Sequence, residues 1–154
     1  FSLDTFSESE KEALNCAWHR LDPWPDAVAG LERMKQRYMI GTLSNGNIAL
    51  IANMAKYARL PWDVILGAEI AQAYKPQPQA YLGSAAALSL KPQQCMLVAA
   101  HNSDLEAALD CGFRTAFVER PFEHGPGQST DLVARGNYDF VARDFVDLAT
   151  QLKC

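Results

Sequence analysis

Short, mostly unbroken apolar runs alternate along this chain with longer segments of helical spacing, and that alternation restricts the fold more than any other feature. The runs are residues 38–43 (YMIGTL), 63–68 (DVILGA), 95–100 (CMLVAA), 114–119 (RTAFVE) and 138–142 (YDFVA). Runs of this length and character read as strands buried on both faces. The capping-box pattern Ser7-x-x-Glu10 predicts a helix that continues to about Arg20, where Pro23 and Pro25 stop it. Asp26 is expected to cap a second helix that presents Val28, Leu31 and Met34 on one face. Further helices are predicted over residues 48–58, from about Pro78 onward, over 102–112 with Gly112 as the stop, and at the C-terminal end behind an Asp144 cap. The pattern predicts an α/β fold, a Rossmann-like parallel sheet with helices on both faces and right-handed crossovers.

The bulk properties narrow the function. A net charge of −4 with no basic stretch argues against nucleic acid and anionic membranes as partners. No apolar run approaches the roughly 20 residues that span a bilayer, and FSLDTFSESEKEAL is unlike a signal peptide. Cys16, Cys95, Cys111 and Cys154 form no CxxC pair, which favours reduced thiols and a cytoplasmic location.

In parallel sheets ligands bind beyond the carboxyl ends of the strands. Ser44-Asn45, Ala100-His101-Asn102 and Glu119-Arg120 fall at such ends. Ser44 or Asn45 can cap the helix that follows, and the backbone N–H groups opening that helix are expected to face an anion. Lys75 precedes Pro76 and Pro78, which stiffen the backbone behind it, and Tyr81 falls on the first turn of the next helix. Asp104 stands just past the 95–100 strand, at a helix start. His101 is a candidate base, but His19 and His124 lie far from it in sequence and no metal-ligand spacing is visible. Walker, G-x-S-x-G and G-x-G-x-x-G patterns are absent from the sequence.

The order of these signals resembles the haloacid dehalogenase superfamily. "LSNG" (residues 43–46) resembles its second motif, "YKPQPQAY" (residues 74–81) its third, and "LVAAHNSDL" (residues 97–105) its fourth. "AWHRLDPWPDAVAGLERMK" and "AAHNSDLEAALDCGFRTAFVERP" are similar to the type II 2-haloacid dehalogenases. The resemblance implies hydrolysis of small 2-haloacids to 2-hydroxyacids with release of halide. A nucleophilic aspartate forms an ester intermediate that water then cleaves. It assigns Lys75 and Asp104 as catalytic and Ser44, Asn45, Tyr81 and Asn102 as substrate-binding, with no cofactor and no metal.

Two departures from the family pattern matter. The first motif, a strand ending in Asp-x-x-Gly-Thr, does not appear; Asp4 has no Gly-Thr behind it. The resemblance therefore implies a chain without its nucleophile, incomplete at the N-terminus and inactive by itself, with residues 1–24 a remnant of a cap domain and residues 25–154 the core. A missing strand would leave an open sheet edge, which invites pairing as a homodimer. Phosphatases of the superfamily carry Gly-Asp, an oxygen ligand for magnesium, where this chain has Ala99 and Ala100. The alternatives to the dehalogenase are a catalytically inactive domain and a magnesium-dependent phosphatase.

Overall fold

The computed structural model describes residues 5–154. Its helices are α1 (Glu8–Ala17), continued by a 3-10 turn (Trp18–Arg20), α2 (Ala27–Lys35), α3 (Ile48–Ala58), α4 (Ala68–Ala71), α5 (Pro78–Ala87), α6 (Asn102–Asp110) and α7 (Phe145–Gln151). The strands are β1 (Met96–Ala99), β2 (Arg114–Val118) and β3 (Phe140–Ala142), all parallel in the order β1-β2-β3. Ser7 and Glu10 form the full capping box: the Glu10 amide donates to Ser7 Oγ at 3.3 Å and the Ser7 amide to Glu10 Oε2 at 2.8 Å.

The sheet is covered on both faces, as its strands' composition demands. Successive side chains of a strand point to opposite faces. On β2, Ala116 and Val118 pack with Leu31 and Met34 of α2 and Leu148 and Ala149 of α7. Phe117 faces the other way, onto Tyr81 of α5, Leu105 of α6 and Phe113. Helix α2 meets α7 so closely that a Cβ on Gly30 would lie 2.4 Å from Phe145 Cβ.

Residues 38–43 and 63–68, expected as strands, form only a parallel bridge between Gly41 and Val64. Backbone bonds from the Asp63 amide to the Ile40 carbonyl (2.9 Å) and from the Thr42 amide to the Val64 carbonyl (3.3 Å) are supplemented by side chains. Asp63 Oδ2 accepts from the Ile40 amide at 2.9 Å, and Thr42 Oγ1 accepts from the Leu66 amide at 2.9 Å while donating to its carbonyl at 3.1 Å. The bridge is tight, since a Cβ on Gly41 would approach Val64 Cγ1 to 2.6 Å. A groove of about 790 Å³ separates residues 40–44 from residues 95–101. Among the described residues β1 pairs only with β2, so its other edge faces this groove.

Asp26 does not cap α2 with its side chain. Its Oδ2 accepts from Arg120 Nη2 and from the Phe145 amide, both at 2.8 Å. The guanidinium of Arg120, 9% exposed, also lies over the rings of Trp24 and Phe145. One carboxylate thus joins the start of α2, the segment after β2 and the start of α7. Asp144 caps α7 as expected, accepting from the Asp147 amide at 2.7 Å.

Burial pushes the Asp26 carboxyl up, but the hydrogen bonds from Arg120 and Phe145 and the guanidinium charge outweigh it and hold the pKa below the usual value. A carboxyl depressed in the folded state stabilises above its unfolded pKa, near 3.9, and that contribution is lost as pH falls through the lower folded value. Asp26→Ala is expected to cost about 3 kcal/mol at neutral pH, because it leaves a buried guanidinium unpaired. Urea unfolding should show the gap between variant and wild type closing below about pH 4.

Candidate active site at the groove mouth

The Lys75 and Asp104 side chains meet at the mouth of the groove, with Ser44 beside them in its lining. Lys75 Nζ donates to Asp104 Oδ2 at 2.5 Å, and the two side chains are 21% and 13% exposed. The other carboxylate oxygen, Oδ1, accepts from the Tyr81 hydroxyl at 2.6 Å. The Tyr81 ring is fully buried. Burial first, and the Asp104 carboxylate second, push its phenol pKa well up, so it stays a proton donor. Asp104 can be held this way because it lies in the first turn of α6, one helical turn beyond β1, while Tyr81 points inward from the first turn of α5.

Lys75, Asp104 and Tyr81 come together, and Ser44 lies in the lining of the same groove. Tyr81 and Asn45 spend their polar groups on the site's frame rather than on open space. Asn45 Oδ1 accepts from the Lys75 amide at 2.7 Å and its Nδ2 donates to the Lys75 carbonyl at 3.2 Å, clamping the backbone that carries the lysine. Asn102 is fully buried and its amide is saturated. Its Nδ2 donates to Asp131 Oδ1 (2.7 Å) and the Val133 carbonyl (3.1 Å), while its Oδ1 accepts from the Arg135 amide (2.7 Å) and the Tyr138 hydroxyl (3.0 Å). The side-chain amide of Asn102, expected to bind substrate, is thus engaged at every hydrogen-bonding position within the protein.

The helix after Ser44 is also different from expectation. Neither Ser44 nor Asn45 caps it; Asn47 does, accepting from the Leu50 amide at 2.8 Å. Ser44 Oγ accepts from the Gly46 amide at 3.0 Å. The first N–H of α3, at Ile48, is taken by Glu69, whose carboxylate oxygens lie 3.0 and 3.1 Å away. The anion expected at this helix end is a side chain of the protein itself. Asp131 does the same for α6, accepting from the Asn102 amide at 2.9 Å; that bond leads the interactions that keep its carboxyl below the usual range.

His101 stands at the end of β1 without capping α6. Its Nε2 lies 3.0 Å from Glu123 Oε2, and its ring stacks on His124 with centroids 6.2 Å apart and planes 8° from parallel. The sequence separated these histidines; the parallel β1–β2 pairing brings the two strand ends together. The strand-end rule that singled out Glu119-Arg120 would have reached Glu123 and His124 if carried a few residues further. Glu69 and Asp131 had no comparable signal.

A haloacid dehalogenase-like hydrolase family model matches residues 3–112. The solved structure of the defluorinating L-2-haloacid dehalogenase Rha0230 superposes with a TM-score of 0.96 at 51% identity, covering 100% of this chain and 63% of that one. (S)-2-haloacid dehalogenase 4A of Burkholderia cepacia is 32% identical over 127 residues, 78% of this chain and 55% of that protein. Phosphatase MT3486 of Mycobacterium tuberculosis is 30% identical over 117 residues, 73% of this chain and 54% of that protein. The chain spans about half the length of these curated relatives.

Replacing Asn102 tests the frame behind the site. Asn102→Ala should strand the Arg135 amide, the Val133 carbonyl and part of the Asp131 carboxylate, and cost roughly 3 kcal/mol or more in urea unfolding. Loss below about 1 kcal/mol would show that the network carries little of the stability.

Proposed function

The chain belongs to the haloacid dehalogenase-like hydrolase family, and from that premise we propose that the protein carrying it hydrolyses small 2-haloacids to 2-hydroxyacids with release of halide. The observation that carries this reading is the Lys75–Asp104 ion pair, locked by Tyr81, at the mouth of the groove. A carboxylate nucleophile, supplied by a segment lying in the groove, attacks the carbon bearing the halogen. The new C–O bond forms as the C–halogen bond breaks, and halide departs with the bonding pair. Water then adds to the ester carbonyl, releasing the 2-hydroxyacid and restoring the carboxylate.

Each residue has a task in this scheme. The Lys75 ammonium keeps the nucleophile ionised, because an opposite charge nearby lowers a carboxyl pKa. Asp104 and Tyr81 fix that ammonium, and Asp104 orders the hydrolytic water. Ser44 holds the substrate carboxylate, and Asn45 positions Lys75 through its backbone. Residues 25–154 supply the core on which Ser44, Asn45, Lys75, Tyr81 and Asp104 are placed.

The similarity to a named phosphatase raises a second reading, magnesium-dependent phosphoryl transfer. Magnesium wants a near-octahedral set of oxygen ligands. Ala99 and Ala100, at the end of β1, offer no side-chain oxygen, so the donor set does not fit that ion. The balance favours the haloacid reaction.

In the complete protein, Lys75→Ala should lower kcat/KM about a thousandfold, or about 4 kcal/mol of transition-state stabilisation. Lys75→Arg should not restore it fully, since a planar fork does not replace a compact ammonium. Wild-type kinetics of halide release in both variants would remove Lys75 from the mechanism. The same protein should keep dehalogenating 2-chloropropionate in excess EDTA and show negligible magnesium-stimulated hydrolysis of p-nitrophenyl phosphate. Loss of activity in EDTA with rescue by magnesium would favour the phosphatase reading.

A further inference from the structure

We propose that His101, Glu123 and His124 form a binding site for a zinc-class divalent cation at the groove mouth, where His101 and Glu123 share the lining with Lys75 and Asp104. Each side chain offers one ligand atom, and the three atoms lie within 4.8 Å of one another. The His101 Nε2 to Glu123 Oε2 distance is 3.0 Å. Two ligands held about 2.0–2.1 Å from a tetrahedral zinc sit roughly 3.3 Å apart. The ion therefore replaces the shared proton of this contact with little movement, and His124 closes on the third position by side-chain rotation from an exposed turn.

The backbone under each ligand is fixed. His101 lies between the end of β1 and the buried Asn102. The turn bearing Glu123 and His124 is closed by the Glu123 amide to the Arg120 carbonyl (3.2 Å), the Gly125 amide to the Phe122 carbonyl (3.0 Å) and the His124 amide to Gln128 Oε1 (3.1 Å). Arg120 is itself anchored on Asp26. Two imidazoles and one carboxylate suit borderline ions such as Zn²⁺, Ni²⁺ and Cu²⁺ rather than the hard Mg²⁺ or Ca²⁺. Three protein ligands leave a fourth position for water or an anion. Bound there, the ion ties the turn after β2 to the start of α6. The proposal does not rest on the haloacid reading.

Calorimetric titration of the metal-stripped chain with ZnCl₂, in a Cys16→Ser background that removes the exposed thiol, should give one site per chain. His101→Ala and His124→Ala should each weaken it by roughly 100-fold or more, since even loss of an outer partner of a ligand costs 10- to 100-fold. Glu123→Gln should weaken it less, and MgCl₂ should not compete. Unchanged far-UV circular dichroism controls for folding. Zinc should also shift the imidazole resonances of His101 and His124 together in wild-type protein, leaving His19 in place. Absence of one-to-one binding, undiminished affinity in folded His124→Ala, or shifts confined to one of the two histidines would overturn the site.

Discussion

One carboxylate holds the two sides of the groove mouth together. Ile40 to Ser44 and β1 face each other across open space rather than through backbone hydrogen bonds. Asp104 bridges that gap indirectly. It takes the Lys75 ammonium on one oxygen and the Tyr81 hydroxyl on the other, while Asn45 grips the Lys75 backbone from the far side. The chain Asn45–Lys75–Asp104–Tyr81 thus couples the turn before α3, the loop before α5, and α5 and α6. A lysine held this way keeps its charge in one place, which an electrostatic site requires because preorganised charge needs no rearrangement during reaction.

Around that bridge the protein repeatedly satisfies helix starts with distant acidic side chains. Glu69 serves α3, Asp131 serves α6 and Asp26 serves α7. Each satisfies N–H groups that a helix end leaves unpaired and meets the positive end of its dipole. Each also fixes a loop to a helix, so capping here doubles as tertiary bracing. Asn102 extends the same economy with an uncharged group, holding residues 131–138 against the end of β1 through all of its amide valences.

The sequence by itself determined the fold class. Alternating apolar runs and helical spacing specify a parallel sheet covered on both faces, because only double burial explains strands without a wet side. The boundaries of α3 and the start of α5 follow from local chemistry, a polar turn and prolines placed where a helix begins. Lys75 and Asp104 each fall at a position the topology makes special, before a proline-stiffened helix start and just past a strand's carboxyl end, but it is the order of the motifs, resembling that of the family, that singles the two out together.

The tertiary structure alone decided what depends on partners distant in sequence. Residues 38–43 and 63–68 carry strand-like composition, yet they meet in a lone bridge, with Thr42 and Asp63 side chains bonding beside the few backbone contacts. The hydrogen-bond partners of the Asn102 side chain come 29 to 36 positions later. His101 and His124 become neighbours only because adjacent parallel strands deliver their ends to one edge. Local pattern records what a residue prefers and which face it occupies. Which hydrogen bonds remain free for a ligand depends on how the chain folds back on itself, and no window of sequence contains that.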